Sequence, residues 1–491
     1  MVHFCMLFLP QKANNCAISN ALRYYFTGLL FSFASSLSAE ILTDTNGRHI
    51  EVELLQIRSD VVDVRRTDGI NFSIPLEQLI ESDRERLKRL QKASLGLPQD
   101  YISFDFKHLN KLLELELWND TDLWDDPPEA VAARLKWPIE SETDMLSSYR
   151  IYFKNKNSIA NATASTAVLY GKDGKVDHLS ILFANKGDFV TNGLIEDEQK
   201  ALKSINAAIE SDNKKLEIRL STLGKPVRKS MGKGKAMKEE VLRWDVGNTS
   251  FLLAAVEDAY LALRIMPKAL AEERGQSERI NNTKAKARAR SNVVANDFGD
   301  VLIQNIPMVD QGPKGYCVPA TIERCLRYMG IRADMYTLAN ACNTGLSGGT
   351  YLSDFIHGTS DYVSKAGREL RSFSKNGTIR NIRKFIKNGQ PVLWAMHSTE
   401  AYNDLTNIIT SERTKAANKK TWKKELSKIA KNARPIKAHT GNGHLCLIIG
   451  YNEYTGELAV SDSWGPKFVL RWTSEVVAEQ ISQGRLYIID F

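Results

Sequence analysis

Residues 310–320 have the sequence DQGPKGYCVPA, and an apolar stretch follows them and ends at Gly330. This part of the chain carries its strongest structural signals. The glycines and the first proline interrupt regular structure before Cys317, whereas Pro319 is tolerated in the first turn of a helix. We therefore predict that a helix begins at Cys317. Because a helix N-terminus and a cationic neighbour both lower the pKa of a thiol, Cys317 is a candidate nucleophile.

Polar residues elsewhere in the chain supply partners for this thiol. Gln311 precedes Cys317 by six residues, His444 precedes an apolar strand-like run, and Asp462 begins the tetrapeptide DSWG. In a thiol hydrolase the histidine moves the proton, the carboxylate orients the imidazole, and a side-chain amide stabilises the oxyanion. Trp464 is placed to cover the His–Asp pair. The pattern predicts catalytic roles for Cys317, His444, Asp462 and Gln311.

The spacing and the local sequences resemble those of the papain-like cysteine peptidase superfamily. His444 and Asp462 follow Cys317 by 127 and 145 residues, near the papain intervals of roughly 130–150 residues. DSWG is similar to the Asn-Ser-Trp-Gly of that superfamily. The sequence GYCVPA, the aspartate in place of asparagine, and KNGQPVLW at 387–394 resemble instead its bacterial branch of double-glycine, or bacteriocin-processing, peptidases. The resemblance implies a papain-like α+β domain over residues 299–491 that acts on a peptide or protein substrate.

The remaining cysteines and histidines are weaker candidates. Cys325 fits a core position on the same helix, its pairing with Cys342 stays open for an exported chain, and Cys446 has no evident partner. Three histidines are alternatives to His444, although none is followed so directly by a strand and a DSWG sequence: His357, His397 and His439. No zinc-ligand spacing occurs among these residues, so we expect neither a metal nor a cofactor.

Residues 1–39 have the outline of a secretory signal peptide. Arg23 precedes a short apolar stretch at 24–34, and small residues follow up to Ala39. This apolar stretch is shorter than an ordinary membrane span. We therefore expect a secreted or periplasmic protein, or one that the segment keeps anchored in the membrane.

Residues 40–92 predict a small SH3-like β-barrel. Two strand pairs turn at an Asn-Gly sequence ending in Gly47 and an Asp-Gly sequence ending in Gly69, and a short helix follows from Leu76. The region resembles the SLA-one homology domain, and this resemblance implies a short peptide as the ligand of the barrel. A structural barrel without a ligand is equally compatible with the sequence.

Residues 100–268 predict an α+β domain of unknown role without a catalytic constellation. Helical spacing begins near 196–209, and two strand-like runs flank a turn at 171–174. The apolar stretch at 251–265 fits either a further strand or a closing helix. Core positions are expected for the tryptophans of this region: Trp118, Trp124 and Trp137.

The charge of the chain is mildly basic and locally concentrated. The 491 residues, which suggest about three domains, carry a net charge of +8. Basic runs at 225–238, 284–290 and 415–437 are typical of solvated faces or linkers, so we expect no nucleic-acid partner. Residues 269–298 predict a charged linker or helical spacer that is open to processing, and 415–437 predict a surface helix.

Together these features predict a multidomain α+β protein with an SH3-like barrel, a central α+β domain and a C-terminal papain-like α+β domain. The predicted function is that of an exported cysteine peptidase with a Cys–His–Asp triad and a glutamine in its oxyanion hole. Two alternatives stay open: a non-catalytic peptide-binding protein on a papain-like scaffold, and a cell-wall peptide amidase.

Overall fold

The structure is a computed structural model that describes residues 40–57, 61–84, 87, 106–119, 122–188, 197–275, 281–346, 348–438 and 441–491. The signal peptide expected at residues 1–39 lies outside the described residues. The chain divides into two compact units, Met1–Asp100 and Tyr101–Phe491. The central and C-terminal regions, which the sequence analysis treats as separate domains, therefore lie in one unit. None of the helices in the described ranges is long and apolar enough to cross a membrane.

An antiparallel sheet forms most of the described part of the first unit. Its strands are β1 (Glu40–Thr43), β2 (His49–Ile57), β3 (Val61–Arg66) and β4 (Asn71–Pro75), and each pairs with the next. Gly47 and Gly69 have positive φ angles of 76° and 86°, as Asn-Gly and Asp-Gly hairpin turns require. The predicted hairpins are therefore confirmed, whereas the SH3-like assignment and its peptide ligand stay predictions.

The helices of the second unit lie between and around two antiparallel sheets. In chain order they are α1 (Phe106–Leu113), α2 (Pro128–Leu135), α3 (Glu198–Leu220), α4 (Lys268–Glu272), α5 (Asn282–Ser291), α6 (Cys317–Tyr328), α7 (Met335–Ala341), α8 (Leu352–Lys365), α9 (Ile379–Lys387), α10 (Glu400–Arg413), α11 (Lys419–Asn432) and α12 (Glu475–Ile481). Helix α11 covers much of the basic run at 415–437. Most of its residues are exposed, and only Trp422 and Leu426 are buried, so the predicted surface helix is confirmed.

The first of these sheets, called the central sheet below, comprises β5 (Ile139–Glu142), β6 (Leu146–Ile159), β7 (Ala162–Lys172), β8 (Lys175–Asn185), β9 (Val227–Met231), β10 (Glu239–Val246), β11 (Thr249–Val256) and β12 (Tyr260–Pro267). Their order is β5-β6-β7-β8-β12-β11-β10-β9, and α3 packs on the sheet. The hairpin predicted around 171–174 joins β7 and β8. The stretch at 251–265 forms β11 and β12, because Asp258, with a φ of 57°, turns the chain between them. The three tryptophans expected in the core are buried.

The second, C-terminal sheet comprises β13 (Val293–Ala295), β14 (Asp300–Ile303), β15 (Glu369–Phe373), β16 (Val392–Ser398), β17 (Asn442–Asn452), β18 (Glu457–Ser461), β19 (Arg471–Ser474) and β20 (Ser482–Asp490). The order along its main path is β13-β14-β17-β16-β20-β15, and β18 pairs with β17 and β19. The run at 387–394 leads into β16, which lies in the middle of the sheet. The described residues thus form a mixed α/β molecule built on antiparallel sheets, compatible with the predicted α+β class.

Part of the stretch expected as a charged linker belongs to this sheet. Helix α5 and strand β13 lie within residues 269–298, and β13 pairs with β14. Helix α5 buries Ala285 and Ala289, and a Cβ on Gly389 would lie 1.9 Å from the backbone oxygen of Ala289. The alanines of this charged stretch therefore allow close backbone packing. The overall charge of the stretch suggested a linker and gave no sign of this packing.

Helix α6 lies between the two sheets and is buried along its whole length. Thr321 donates to a backbone carbonyl of β17 at 2.9 Å, and Glu323 accepts from the hydroxyl of Tyr170 in β7 at 3.1 Å. The helix begins at Cys317, as predicted. Both sheets therefore fix the position of its N-terminus.

Candidate active site

The backbone brings the predicted triad residues together from three separate elements. Cys317 is the first residue of α6, His444 lies near the start of β17, and Asp462 directly follows β18. Strands β17 and β18 pair antiparallel, with Leu447 opposite Ser461. Because His444 and Asp462 lie close to this pair on adjacent strands, their side chains meet although 18 residues separate them.

The imidazole of His444 lies between the carboxylate and the thiol. Its Nε2 is 2.9 Å from Oδ1 of Asp462, and the ring also hydrogen-bonds with the thiol of Cys317. Since Nε2 faces the carboxylate, Nδ1 is the ring nitrogen that remains for the sulfur. His444 and Asp462 are 8% and 0% exposed, so water competes little for these bonds.

The environment of Cys317 favours its thiolate. Burial alone would raise the pKa of this thiol, but the hydrogen bond and charge of His444 and the backbone N–H groups of Leu445 and Val318 outweigh burial, so the pKa lies below its ordinary value. Tyr316, the residue before the helix, provides no side-chain cap. The free N–H groups of the first helical turn therefore add to this stabilisation.

The environment of His444 favours the imidazolium. Burial would lower the pKa of this histidine, but the hydrogen bonds and charges of Asp462 and Cys317 raise the pKa to about 9. Burial also tends to raise the pKa of Asp462, but His444 and Arg471 hold it below its ordinary value. The pKa shifts of Cys317 and His444 therefore both favour a thiolate–imidazolium pair backed by a carboxylate.

Arg471 is a site residue that sequence reasoning did not find. Its Nε donates to Oδ2 of Asp462 at 2.9 Å, and a terminal nitrogen lies 2.7 Å from the same oxygen. The guanidinium also donates to Oδ1 of Asn403 at 3.2 Å. Asp462 therefore serves two cationic partners with its two oxygens. An arginine at the start of a later strand, with no motif around it, gives no signal of this role in the sequence.

Gln311 lies in the loop before α6 with its side-chain amide held at both ends. Its Oε1 accepts from the hydroxyl of Ser463 at 2.8 Å, and its Nε2 donates to the carbonyl of Lys314 at 2.8 Å. A carbonyl only accepts, so the amide nitrogen must be the end that faces Lys314. This bond uses one N–H of the amide and leaves the second for a ligand. Neither Ser463 nor Lys314 was predicted as a site residue.

Trp464 covers the histidine, as its position in the sequence suggested. Its ring stacks on that of His444 with centroids 4.7 Å apart and an interplanar angle of 28°. Phe468 packs edge-on against Trp464 at 5.5 Å, and the guanidinium of Arg471 lies 5.0 Å from the Trp464 ring. These aromatic rings limit the access of water to the His–Asp pair.

The other cysteines of the described residues lack these features. Cys325, Cys342 and Cys446 are buried free thiols, so the disulfide considered for the first two is not formed. Burial, only partly offset by Arg324 at Cys325, raises the pKa of Cys325 to about 12, and burial together with Asp354 raises that of Cys342 to about 12. The histidine that contacts Cys317 is His444; His357 and His397 lie on α8 and β16, and His439 lies outside the described residues.

Within the described ranges, one group of side chains has a metal-like arrangement. The ligand atoms of His444, Cys446 and Asp462 lie within 4.8 Å of one another. However, both oxygens of Asp462 already have partners, and burial raises the pKa of Cys446 well above its ordinary value. A metal ion would have to compete with the hydrogen bonds that His444 and Arg471 make to Asp462, so it would disrupt the arrangement rather than complete it.

A cavity of about 380 Å³ lies between the central sheet and the C-terminal ends of α5 and α6, and Tyr170, Asp177, Arg327 and Arg332 are among its lining residues. None of the four predicted catalytic residues lines it. It is therefore separate from the site at the N-terminus of α6.

The site thus places a thiol at a helix N-terminus against an imidazole that also contacts a carboxylate. A family model described as the Peptidase_C39 like family matches residues 303–479, just over a third of the chain. The matched range contains Gln311, Cys317, His444 and Asp462, and it supports a relationship to the C39 papain-like peptidases and a cysteine-peptidase-like scaffold. No curated protein matches the chain.

Proposed function

We propose that this chain is an exported cysteine peptidase that hydrolyses peptide bonds through Cys317, His444 and Asp462, with Gln311 in its oxyanion hole. The observation that carries the proposal is the contact of His444 with both the thiol at the start of α6 and the carboxylate, 2.9 Å from Oδ1 of Asp462. This contact raises the pKa of the histidine and lowers that of the thiol in the same buried place. A cysteine that only fills space in a core has no such partner.

In the acylation step, the thiolate of Cys317 attacks the carbonyl carbon of the scissile amide and forms a C–S bond. The carbonyl oxygen becomes an oxyanion, which accepts from the free N–H of the Gln311 amide and from the backbone N–H of Cys317. His444 gives its proton to the amide nitrogen, the C–N bond breaks, and the amine leaves a thioester behind.

In the deacylation step, neutral His444 takes a proton from water, and the hydroxide attacks the thioester carbon. The C–S bond breaks, the carboxylic acid product is released, and the thiolate–imidazolium pair is restored. Asp462 keeps Nε2 of His444 as a donor throughout, so that Nδ1 faces the sulfur and the substrate.

A non-catalytic peptide-binding protein is the competing proposal. A binding protein has no use for a thiol with a lowered pKa, for a histidine beside it with a raised pKa or for a glutamine amide with a free N–H, and these three features support the peptidase proposal. A cell-wall peptide amidase would use the same steps, and only its substrate would differ.

Alkylation and turnover measured on the same protein test the proposal. At about pH 7, iodoacetamide should modify Cys317 selectively, and peptide mapping identifies the modified residue. Cys317→Ala should remove both the labelling and the hydrolysis of a peptide library, whereas the matched Cys325→Ala variant should retain both. Labelling that survives Cys317→Ala unchanged would refute the assignment of Cys317 as the nucleophile. A labelled Cys317 in a protein that cleaves no peptide would favour the binding protein.

A further inference from the structure

We infer that the central sheet, which carries none of the proposed catalytic residues, positions the oxyanion donor of the site. The inference rests on the proposed function, because a donor is needed only if an oxyanion forms. It assigns a role to a region outside the family match at 303–479. The residues concerned are positioning residues that act through Gln311.

The loop before α6 depends on outside contacts for its shape. Residues 304–316 form neither helix nor strand, so their backbone groups do not satisfy one another in a regular pattern. The central sheet supplies several of the missing partners. Glu140 of β5 accepts from the backbone N–H of Asp310 at 2.8 Å, and Tyr152 of β6 donates to the carbonyl of Asp310 at 2.6 Å. Both backbone groups of the residue before Gln311 are thus held by this sheet.

The second anchor is the side chain of Lys314, whose carbonyl fixes the Gln311 amide. The residue Lys314 is 7% exposed, and its ammonium forms an ion pair with Asp188. Asp188 lies at the end of the short segment that follows β8. The same ammonium lies 5.5 Å from the ring of Tyr152 and 5.3 Å from that of Tyr336. A buried ammonium that lost its carboxylate would be strongly disfavoured, so Asp188 ties Lys314 to one place.

Asn185, the last residue of β8, and Gly187, which follows that strand, contact Tyr316 at the end of the loop before α6. The hydroxyl of Tyr316 donates to Oδ1 of Asn185 at 2.9 Å. A Cβ on Gly187 would lie 2.9 Å from the Tyr316 ring, so the backbone approaches this ring as closely as glycine permits. Residues Asn185–Asp188 consequently contact both Lys314 and Tyr316, two of the five residues between Gln311 and Cys317.

These contacts connect the central sheet to the proposed oxyanion donor in successive steps. Asp188 holds the Lys314 side chain, the Lys314 carbonyl holds one N–H of the Gln311 amide, and the other N–H remains for the oxyanion. If Asp188 no longer holds Lys314, the carbonyl moves and the amide loses its direction. The thiol is affected less, because His444 and the N–H groups of Leu445 and Val318 hold it independently.

A double-mutant cycle in the full chain tests this inference. Removal of one oxyanion donor lowers kcat by about 10²–10³-fold, so Gln311→Ala sets the scale. Asp188→Asn should lower kcat by about tenfold or more with little change in KM, and Tyr152→Phe should lower it in the same sense. In the Gln311→Ala background, Asp188→Asn should have an effect of less than about twofold, because the residue through which it acts is already gone.

Asp177→Asn is the matched control. Asp177 of β8 pairs with Arg332 across the same contact between the central sheet and the region of α6, but at the opposite end of the helix. It should leave kcat near that of the wild type even if it destabilises the fold as much as Asp188→Asn does. The rate of Cys317 alkylation should be unchanged in the Asp188→Asn variant, since alkylation forms no oxyanion.

The outcomes separate the inference from the proposed function. If Gln311→Ala lowers kcat but Asp188→Asn has no effect, or has its full effect in the Gln311→Ala background, the positioning role is wrong and the peptidase proposal stands. If Asp177→Asn and Asp188→Asn lower kcat equally, the contacts of Asp188 only stabilise the fold and the positioning role is wrong. If Gln311→Ala itself leaves kcat unchanged, the proposed oxyanion hole is wrong.

Discussion

Asp462→Asn is the substitution for which the family resemblance and the structure give opposite expectations. Papain-like peptidases have an asparagine at this place, so the resemblance alone predicts a mild effect. In this protein the carboxylate accepts from His444 on Oδ1 and from Arg471 on Oδ2, at 2.9 Å in both cases. An asparagine has one acceptor oxygen and cannot serve both partners.

Either orientation of the asparagine removes something essential. With its oxygen toward His444, its NH₂ group faces the donors of Arg471, which is 2% exposed and loses its anion. With its oxygen toward Arg471, the NH₂ group faces Nε2 of His444, which must then accept. The proton of the neutral imidazole would then lie on Nδ1, the nitrogen that faces the sulfur. In this tautomer Nδ1 cannot accept a proton from the thiol or from water, so the tautomer is the wrong one for catalysis.

The magnitude follows from these two losses. Removing one partner of a buried ion pair costs about 3–5 kcal/mol, and an asparagine oxygen recovers part of this, so the free energy of unfolding should fall by about 2–4 kcal/mol. A wrong tautomer in a triad lowers kcat by about 10⁴-fold, so we expect a loss of about 10³–10⁴-fold, or roughly 4–5.5 kcal/mol of barrier. The single variant should be nearly as inactive as His444→Ala.

Adding Arg471→Met to the Asp462→Asn variant tests whether the competition between His444 and Arg471 causes the loss. It removes the opposing donors while retaining an unbranched apolar side chain, so the asparagine oxygen can turn to His444. The double variant should therefore exceed Asp462→Asn in kcat by about tenfold or more, and it should be the more stable of the two in urea unfolding. If Asp462→Asn retains a rate within about threefold of the wild type, or if Arg471→Met does not improve it, the argument from the two oxygens is wrong.

The remaining predictions concern the same site. The rate should rise with pH as Cys317 loses its proton, below the ordinary thiol pKa, and fall as His444 loses its proton near pH 9, which a pH–rate profile measures. The folded-state pKa of His444, about 9, exceeds the ordinary histidine value of 6.5. Its contribution to stability should therefore be complete below about pH 6.5 and lost as the pH rises through about 9, as urea unfolding at each pH would reveal. Gln311→Ala should lower kcat by about 10²–10³-fold with KM unchanged, and Gln311→Glu should be at least as harmful, whereas normal turnover would make this residue a mere turn cap. A chelator should leave turnover unchanged, and a loss of activity in EDTA would contradict this expectation. Added Zn²⁺ should inhibit by competing for the thiol and the imidazole, and turnover that is unaffected by Zn²⁺ would contradict the second expectation.

The sequence determined the features that depend on neighbouring residues. Proline, glycine and apolar patterns that act within a few residues account for the start of α6 at Cys317, the turns at Gly47 and Gly69, and the strand that continues from His444. The order and spacing of Gln311, Cys317, His444 and Asp462 also stand in the sequence, since each lies in a recognisable local motif.

Only the tertiary structure decided the partners of these residues. Arg471 reaches Asp462, and Asp188 reaches Lys314 across 126 residues, because the sheets bring separate segments together. Within the stretch expected as a linker, α5 packs its buried Ala289 closely against Gly389, and β13 pairs with β14. Such contacts have no fixed spacing along the chain, since their free energy comes from burial and charge pairing in the folded state. Local pattern therefore identified the groups that react, and packing between distant segments decided what holds them in place.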